Sequence, residues 1–178
     1  DRIIATVDRS KAEGQRNRAI LETLYSCGLR VSELVNLKLS DLYFDEGFIK
    51  VEGKGNKQRL IPISPKAINE IKLYFTDRNQ IEVKSGHEDF VFISSRRGKR
   101  LSRIMIFHMI KELAQQAGIT KNISPHTFRH SFATHLLEGG ANLRAIQCML
   151  GHESIATTEI YTHIDRNVLR SEIIEHHP

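Results

Sequence analysis

Apolar and polar positions along the chain change period twice. Residues 16–27, RNRAILETLYSC, place Ile20, Leu21, Leu24 and Cys27 on one helical face, and Gly28 follows as a cap. A second helix is expected from about Val31 to Leu37, closed by Ser40-Asp41. The stretch LYFDEGFIKVEGKGNKQRLIPI then alternates in short bursts, broken at Asp45-Glu46-Gly47 and at Gly53-Lys54-Gly55-Asn56. That pattern predicts three short antiparallel strands near 41–44, 47–52 and 58–62. Helical spacing returns from Pro65 to about Arg78. Residues 79–100 read as irregular, with an apolar FVFI and a basic run, Arg96-Arg97-Gly98-Lys99-Arg100. Ser102 caps a helix through about Ala117, and Ser124-Pro125 starts another to Leu137. Asn142 caps a helix to Leu150, and short helices are expected at 154–160 and 165–175. The expected class is α+β, mostly helical with one small three-stranded antiparallel sheet.

Length allows one compact domain with a core, or two very small ones: the chain has 178 residues. Hydrophobic content of 40% and charged content of 26% are those of an ordinary globular protein. No apolar run approaches the roughly 18 residues of a membrane helix, so no membrane partner is expected. Cys27 and Cys148 sit in apolar stretches without metal spacing, which suits buried thiols in a reducing, cytoplasmic setting. The opening DRIIATVDRS has Ile3, Ile4 and Val7 at helical spacing with only Asp1 ahead of it to cap, and reads as part of a longer protein. Basic residues exceed acidic ones, 26 − 21 = +5, with a pI near 9.3. That balance favours an anionic partner.

The candidate chemistry lies in basic residues, histidines and one tyrosine. His126 and Arg129 are i, i+3 in the first turn of a helix, where free N–H groups and the dipole favour an anion. An imidazole and a guanidinium aimed together suit a phosphate, although a surface His and Arg are the commoner reading of such a pair. His126 and His130 have the i, i+4 spacing of zinc ligands, but Arg129 is a poor neighbour for a dication and no zincin glutamate is present. His152 follows Gly151 at a helix end, and Tyr161 comes nine residues later. A phenol with a pKa near 10 is only about 0.1% ionised at pH 7, so a nucleophilic Tyr161 needs neighbouring positive charge or a base. In GLRVSEL, Arg30 and Glu33 are i, i+3, an ordinary surface ion pair on its face. Lys54 sits between two glycines in a hairpin turn, with Lys57 and Arg59 beside it. This is either a solvated basic turn or a mobile cation able to deliver a proton.

Taken together, Arg30 in GLRVSEL, Lys54 in GKGNKQR, His126 and Arg129 in SPHTFRHSFATHLL, His152 in LGH and Tyr161 in YTH resemble the tyrosine recombinase (phage integrase) family. The likeness is greatest to bacterial Xer recombinases and runs from about residue 16 to 178. The resemblance implies the family's catalytic-domain fold for residues 1–178, without the DNA-clamping domain that precedes it in such proteins. It implies a site-specific recombinase that cleaves and rejoins DNA through a 3′-phosphotyrosine, with Tyr161 as nucleophile. Arg30, Arg129 and His152 would meet the transition-state charge, Lys54 would be general acid and His126 would handle the tyrosine proton. Glu33 would orient Arg30. Lys57, Arg59, Arg96, Arg97, Lys99 and Arg100 are candidate DNA contacts. Neither metal nor nucleotide cofactor is implied. The implied partners are double-stranded DNA and further recombinase protomers, in a tetramer joined through the C-terminal helix.

Three rivals remain at this level. A type IB topoisomerase makes the same covalent link without exchanging strands. A DNA-binding module would bind without cutting. A metal-dependent hydrolase would use the histidine-rich stretch and lose activity in EDTA.

Overall fold

The computed structural model describes residues 2–5, 7, 8, 10–119 and 125–138. Among these, six α-helices surround one antiparallel sheet: α1 (Arg2–Ala5), α2 (Gly14–Cys27), α3 (Val31–Val35), β1 (Leu42–Tyr43), β2 (Phe48–Glu52), β3 (Gln58–Pro62), α4 (Pro65–Arg78), α5 (Arg103–Gln116) and α6 (Pro125–Glu138). The sheet order is β1-β2-β3, with Ile49 opposite Ile61 and Val51 opposite Arg59. The helices expected at 142–150, 154–160 and 165–175 lie outside the described residues.

Local signals set most boundaries. Gly28 adopts φ 64°, and its N–H donates to the Leu24 carbonyl at 3.0 Å, ending α2. Ser64 Oγ accepts from the Ala67 N–H at 3.2 Å with Pro65 in the first turn of α4. Ser102 Oγ accepts from the Met105 N–H at 3.2 Å at the start of α5. Helix α2 begins two residues earlier than its apolar pattern suggests, after Glu13 at φ 68°. Helix α3 ends at Val35, because Leu37 leaves the helix to pair its carbonyl with the Val91 N–H at 3.0 Å.

The core lies between α2, the sheet and the flanking helices, with Ile20, Leu21, Leu24, Ile49, Ile61 and Ile71 fully buried. Helix α2 packs against both α4 and α6. The irregular stretch before α5 also enters the core: Val91, Phe92 and Ile93 are buried. Side chains satisfy part of their backbone, beside the Val91 N–H to Leu37 and Leu101 N–H to Phe92 carbonyl bonds. Tyr74 Oη donates to the Val91 carbonyl at 3.0 Å and accepts from the Ile93 N–H at 3.1 Å. The Arg78 guanidinium donates to the carbonyls of Glu88, Phe90 and Val91. These bonds offset much of the cost of burying a segment without regular structure.

Candidate active site

The site starts with the turn between α2 and α3. Gly28 turns the chain, Leu29 is fully buried, and Arg30 occupies the N-cap of α3. The Arg30 N–H donates to Glu33 Oε1 at 2.8 Å, so Glu33 caps its own helix from the third position. Glu33 itself is buried, with 4% of its surface exposed. A buried carboxylate needs partners of opposite charge, and three arginines supply them. Arg59 on β3 donates Nη1 to Glu33 Oε2 and Nη2 to Glu33 Oε1, a fork-on-fork pair. Arg30 Nη1 stands 3.9 Å from Glu33 Oε2. Arg129 Nη1, from α6, stands 3.8 Å from Glu33 Oε1 and donates to the Gly28 carbonyl at 3.1 Å.

The cluster is electrostatically unbalanced. Three guanidiniums against one carboxylate sum to +2. The pKa of the Arg129 guanidinium is pushed down to about 10. Burial is the main cause; the charge of Arg30 comes next, Glu33 acts in the opposite sense, and Arg59 adds to the lowering. At neutral pH all but about 0.1% of it remains charged. Arg30 keeps 40% of its side chain exposed. Such a constellation is suited to an oxyanion with two or more acceptor oxygens.

The β2–β3 hairpin closes over this cluster. The Gly53 N–H donates to the Lys57 carbonyl at 2.7 Å, and the turn between them uses φ 74° at Gly55 and φ 59° at Asn56. A Cβ at Gly53 would lie 3.3 Å from Arg59 Nη1 and 3.6 Å from Glu33 Oε2. The hairpin backbone thus rests against the Arg59–Glu33 pair, and Lys54 is the next residue along. The Lys54 side chain is outside the described set.

The structure brings together Arg30, Glu33, Arg59 and Arg129, with the backbone of Lys54 adjacent. His126 has its backbone in the first turn of α6; its side chain, and all of His152 and Tyr161, lie outside the described residues. Lys57, Arg96, Arg97 and Lys99 are exposed. Arg100 is half-buried, donating to Asn36 Oδ1 and lying 5.4 Å over the Phe90 ring. Arg59, expected among outward DNA contacts, instead points inward with 8% exposure. Strand alternation explains this: Arg59 shares a face with Ile61, and both are buried. That alternation was the signal available in the sequence. Among the described residues no three His, Cys, Asp or Glu side chains gather as a metal site.

Residues 1–167 match the phage integrase family model. The chain belongs to the phage integrase family. Within that family it is 50% identical to the tyrosine recombinase XerD of Chlorobaculum tepidum over 163 residues, covering 92% of the chain and 53% of the relative. It is 47% identical to the XerD of Staphylococcus saprophyticus, covering 99% of the chain and 59% of that protein. The chain therefore spans little more than half the length of these relatives. Among solved structures it is similar to XerA recombinase, with TM-score 0.76 and 36% identity over 99% of the chain and 62% of that structure. It is also similar to XerH bound to its difH substrate, with TM-score 0.73 and 29% identity over 92% of the chain and 48% of that structure. The fold is that of the tyrosine recombinase catalytic domains, mostly helical with the small three-stranded sheet described above.

Proposed function

We propose that residues 1–178 form the catalytic domain of a site-specific DNA recombinase that cleaves and rejoins strands through a covalent 3′-phosphotyrosyl intermediate. The observation that carries this reading is the convergence of Arg30 and Arg129 on one buried carboxylate, with the Lys54 hairpin against it. These residues come from the α3 cap, from α6 and from a hairpin, and a phosphodiester is the substrate that uses all of them.

In this mechanism the phenol oxygen of Tyr161 attacks phosphorus and the bond to the 5′-oxygen breaks. Arg30 and Arg129 meet the charge gathering on the non-bridging oxygens, and His152 adds a hydrogen bond. Lys54 gives a proton to the departing 5′-oxygen, and His126 takes the phenol proton. Religation runs the steps backwards with the 5′-hydroxyl of the partner strand. Guanidiniums carry the charge neutralisation, so the step requires no metal ion. The phosphotyrosyl bond conserves the energy of the broken diester, so it requires no nucleotide cofactor. The protein works in the cytoplasm on double-stranded DNA, within a tetramer of recombinases joined by the C-terminal helix. Lys57, Arg96, Arg97, Lys99 and Arg100 contact DNA in this scheme. Among the described residues no helix is long and apolar enough to cross a membrane.

The test is to incubate the protein with a genomic DNA library in EDTA and sequence the covalently trapped 3′ ends. A discrete site with protein attached through Tyr161 is expected. Two-site exchange products on that sequence separate recombination from strand relaxation. Binding with no covalent product, from a protein carrying Tyr161, overturns the reading.

A further inference from the structure

We infer that Arg59 is a positioning residue that occupies Glu33 so that Arg30 and Arg129 keep their charge for the scissile phosphate. The inference rests on the phosphoryl-transfer reading of this site.

The distances within the cluster are unequal. Arg59 holds both Glu33 oxygens in a bidentate pair, while Arg30 and Arg129 stand 3.9 and 3.8 Å from that carboxylate. A carboxylate this close to two phosphate-binding arginines is a competitor for them. In low dielectric an unheld Glu33 would swing onto the nearest guanidinium and neutralise it. Arg59 prevents this by geometry and by charge. Its planar fork matches both oxygens, and it is buried at the β3 position paired with Val51 of β2. Gly53 extends the same arrangement to the hairpin. The backbone beside Lys54 sits close against the Arg59–Glu33 pair there, since a Cβ at Gly53 would lie 3.3 Å from Arg59 Nη1.

The charge arithmetic makes this testable. The four groups sum to +2 in the protein. Arg59→Met lowers the sum by one and frees Glu33. Glu33→Gln/Arg59→Met restores the sum and removes the competing carboxylate, while Gln keeps an acceptor for the Arg30 N–H.

The experiment measures single-turnover formation of the covalent complex on a nicked duplex carrying the genomically trapped site, with thermal unfolding and DNA affinity recorded for each variant. Arg59→Met is expected to slow cleavage on the order of 10²-fold, the scale of losing one oxyanion donor. The double variant is expected to regain about tenfold or more of that loss. DNA affinity and its salt slope stay at the parental values, because Arg59 is not a phosphate contact. Where Arg59→Met does not fold, Arg59→Lys replaces it. A single ammonium cannot hold both oxygens, so cleavage falls about tenfold and adding Glu33→Gln recovers it. Cleavage by either Arg59 variant within twofold of the parent overturns the inference. So does a double variant no faster than the single, which makes Arg59 a fold element only. A salt slope reduced by about one makes it a DNA contact and overturns the inference as well. Failure of the parent protein to form any covalent complex removes the functional reading itself, a result distinct from these three.

Discussion

Arg129 Nη1 donates a 3.1 Å hydrogen bond to the carbonyl of Gly28, two residues before Arg30 and 101 residues away in the chain. This bond ties α6 to the turn that ends α2 and leads into α3. Arg129 is therefore held by the turn that carries Arg30, while Arg59 keeps Glu33 occupied. The spacing of Arg30 and Arg129 is set by the fold before any DNA arrives, which is what electrostatic preorganisation requires.

Arg30→Ala and Arg129→Ala should each slow single-turnover cleavage strongly, toward the range of about 10³–10⁵ found for arginines that meet phosphoryl transition-state charge. Arg129→Lys should recover little, since an ammonium lacks the planar fork that spreads donors toward the Gly28 carbonyl, Glu33 and a phosphate at once. Losses under tenfold in both alanine variants would move these residues to a structural role.

Tyr161→Phe should abolish the covalent adduct and leave DNA affinity nearly unchanged, because affinity comes mainly from phosphate contacts. The checks are denaturing gels on the nicked substrate and a binding isotherm. Any covalent product from the Phe variant transfers the nucleophile's role elsewhere.

Lys54→Ala should be rescued when the leaving 5′-oxygen is replaced by sulfur, since a thiolate departs without being protonated. Equal defects on the oxygen and sulfur substrates would make Lys54 a binding residue.

Glu33→Ala should destabilise the domain by about 3–5 kcal/mol, the cost of leaving a buried charge without its partner. Arg59, with 8% exposure, is the residue left so. Urea unfolding measures the loss, and a change under about 1 kcal/mol would mean the pair is replaced by water.

Cys27 should resist alkylation in the folded protein. It is fully buried, and burial pushes its thiol up to about 12, so almost no thiolate exists at neutral pH. In a Cys148→Ser background, iodoacetamide should label the native chain only as fast as it unfolds. Rapid native labelling would show that α2 moves off β3, where the Cys27 thiol donates to the Pro62 carbonyl at 3.8 Å.

Much of the architecture was legible in the sequence because its signals are local. Four residues of α2 at helical spacing (Ile20, Leu21, Leu24 and Cys27), the serine caps of α4 and α5, and the glycines of the β2–β3 turn each act within a few residues. The order of Arg30, Lys54, His126, Arg129, His152 and Tyr161 along the chain pointed to the family for the same reason: each motif is short and its spacing can be counted. The arrangement around Glu33 was not legible that way. Arg30 and Glu33 read as a surface pair, and Arg59 as part of a basic turn, because a sequence shows neighbours along one element and not what the other elements bring. Only tertiary packing buries Glu33. It sets β3 beside α3 so that Arg59 points inward, and lays α6 on α2 so that Arg129 reaches Gly28. Charge type is a property of the residue, but whether a charge is solvated or paired depends on contacts across 26 and 101 residues of chain.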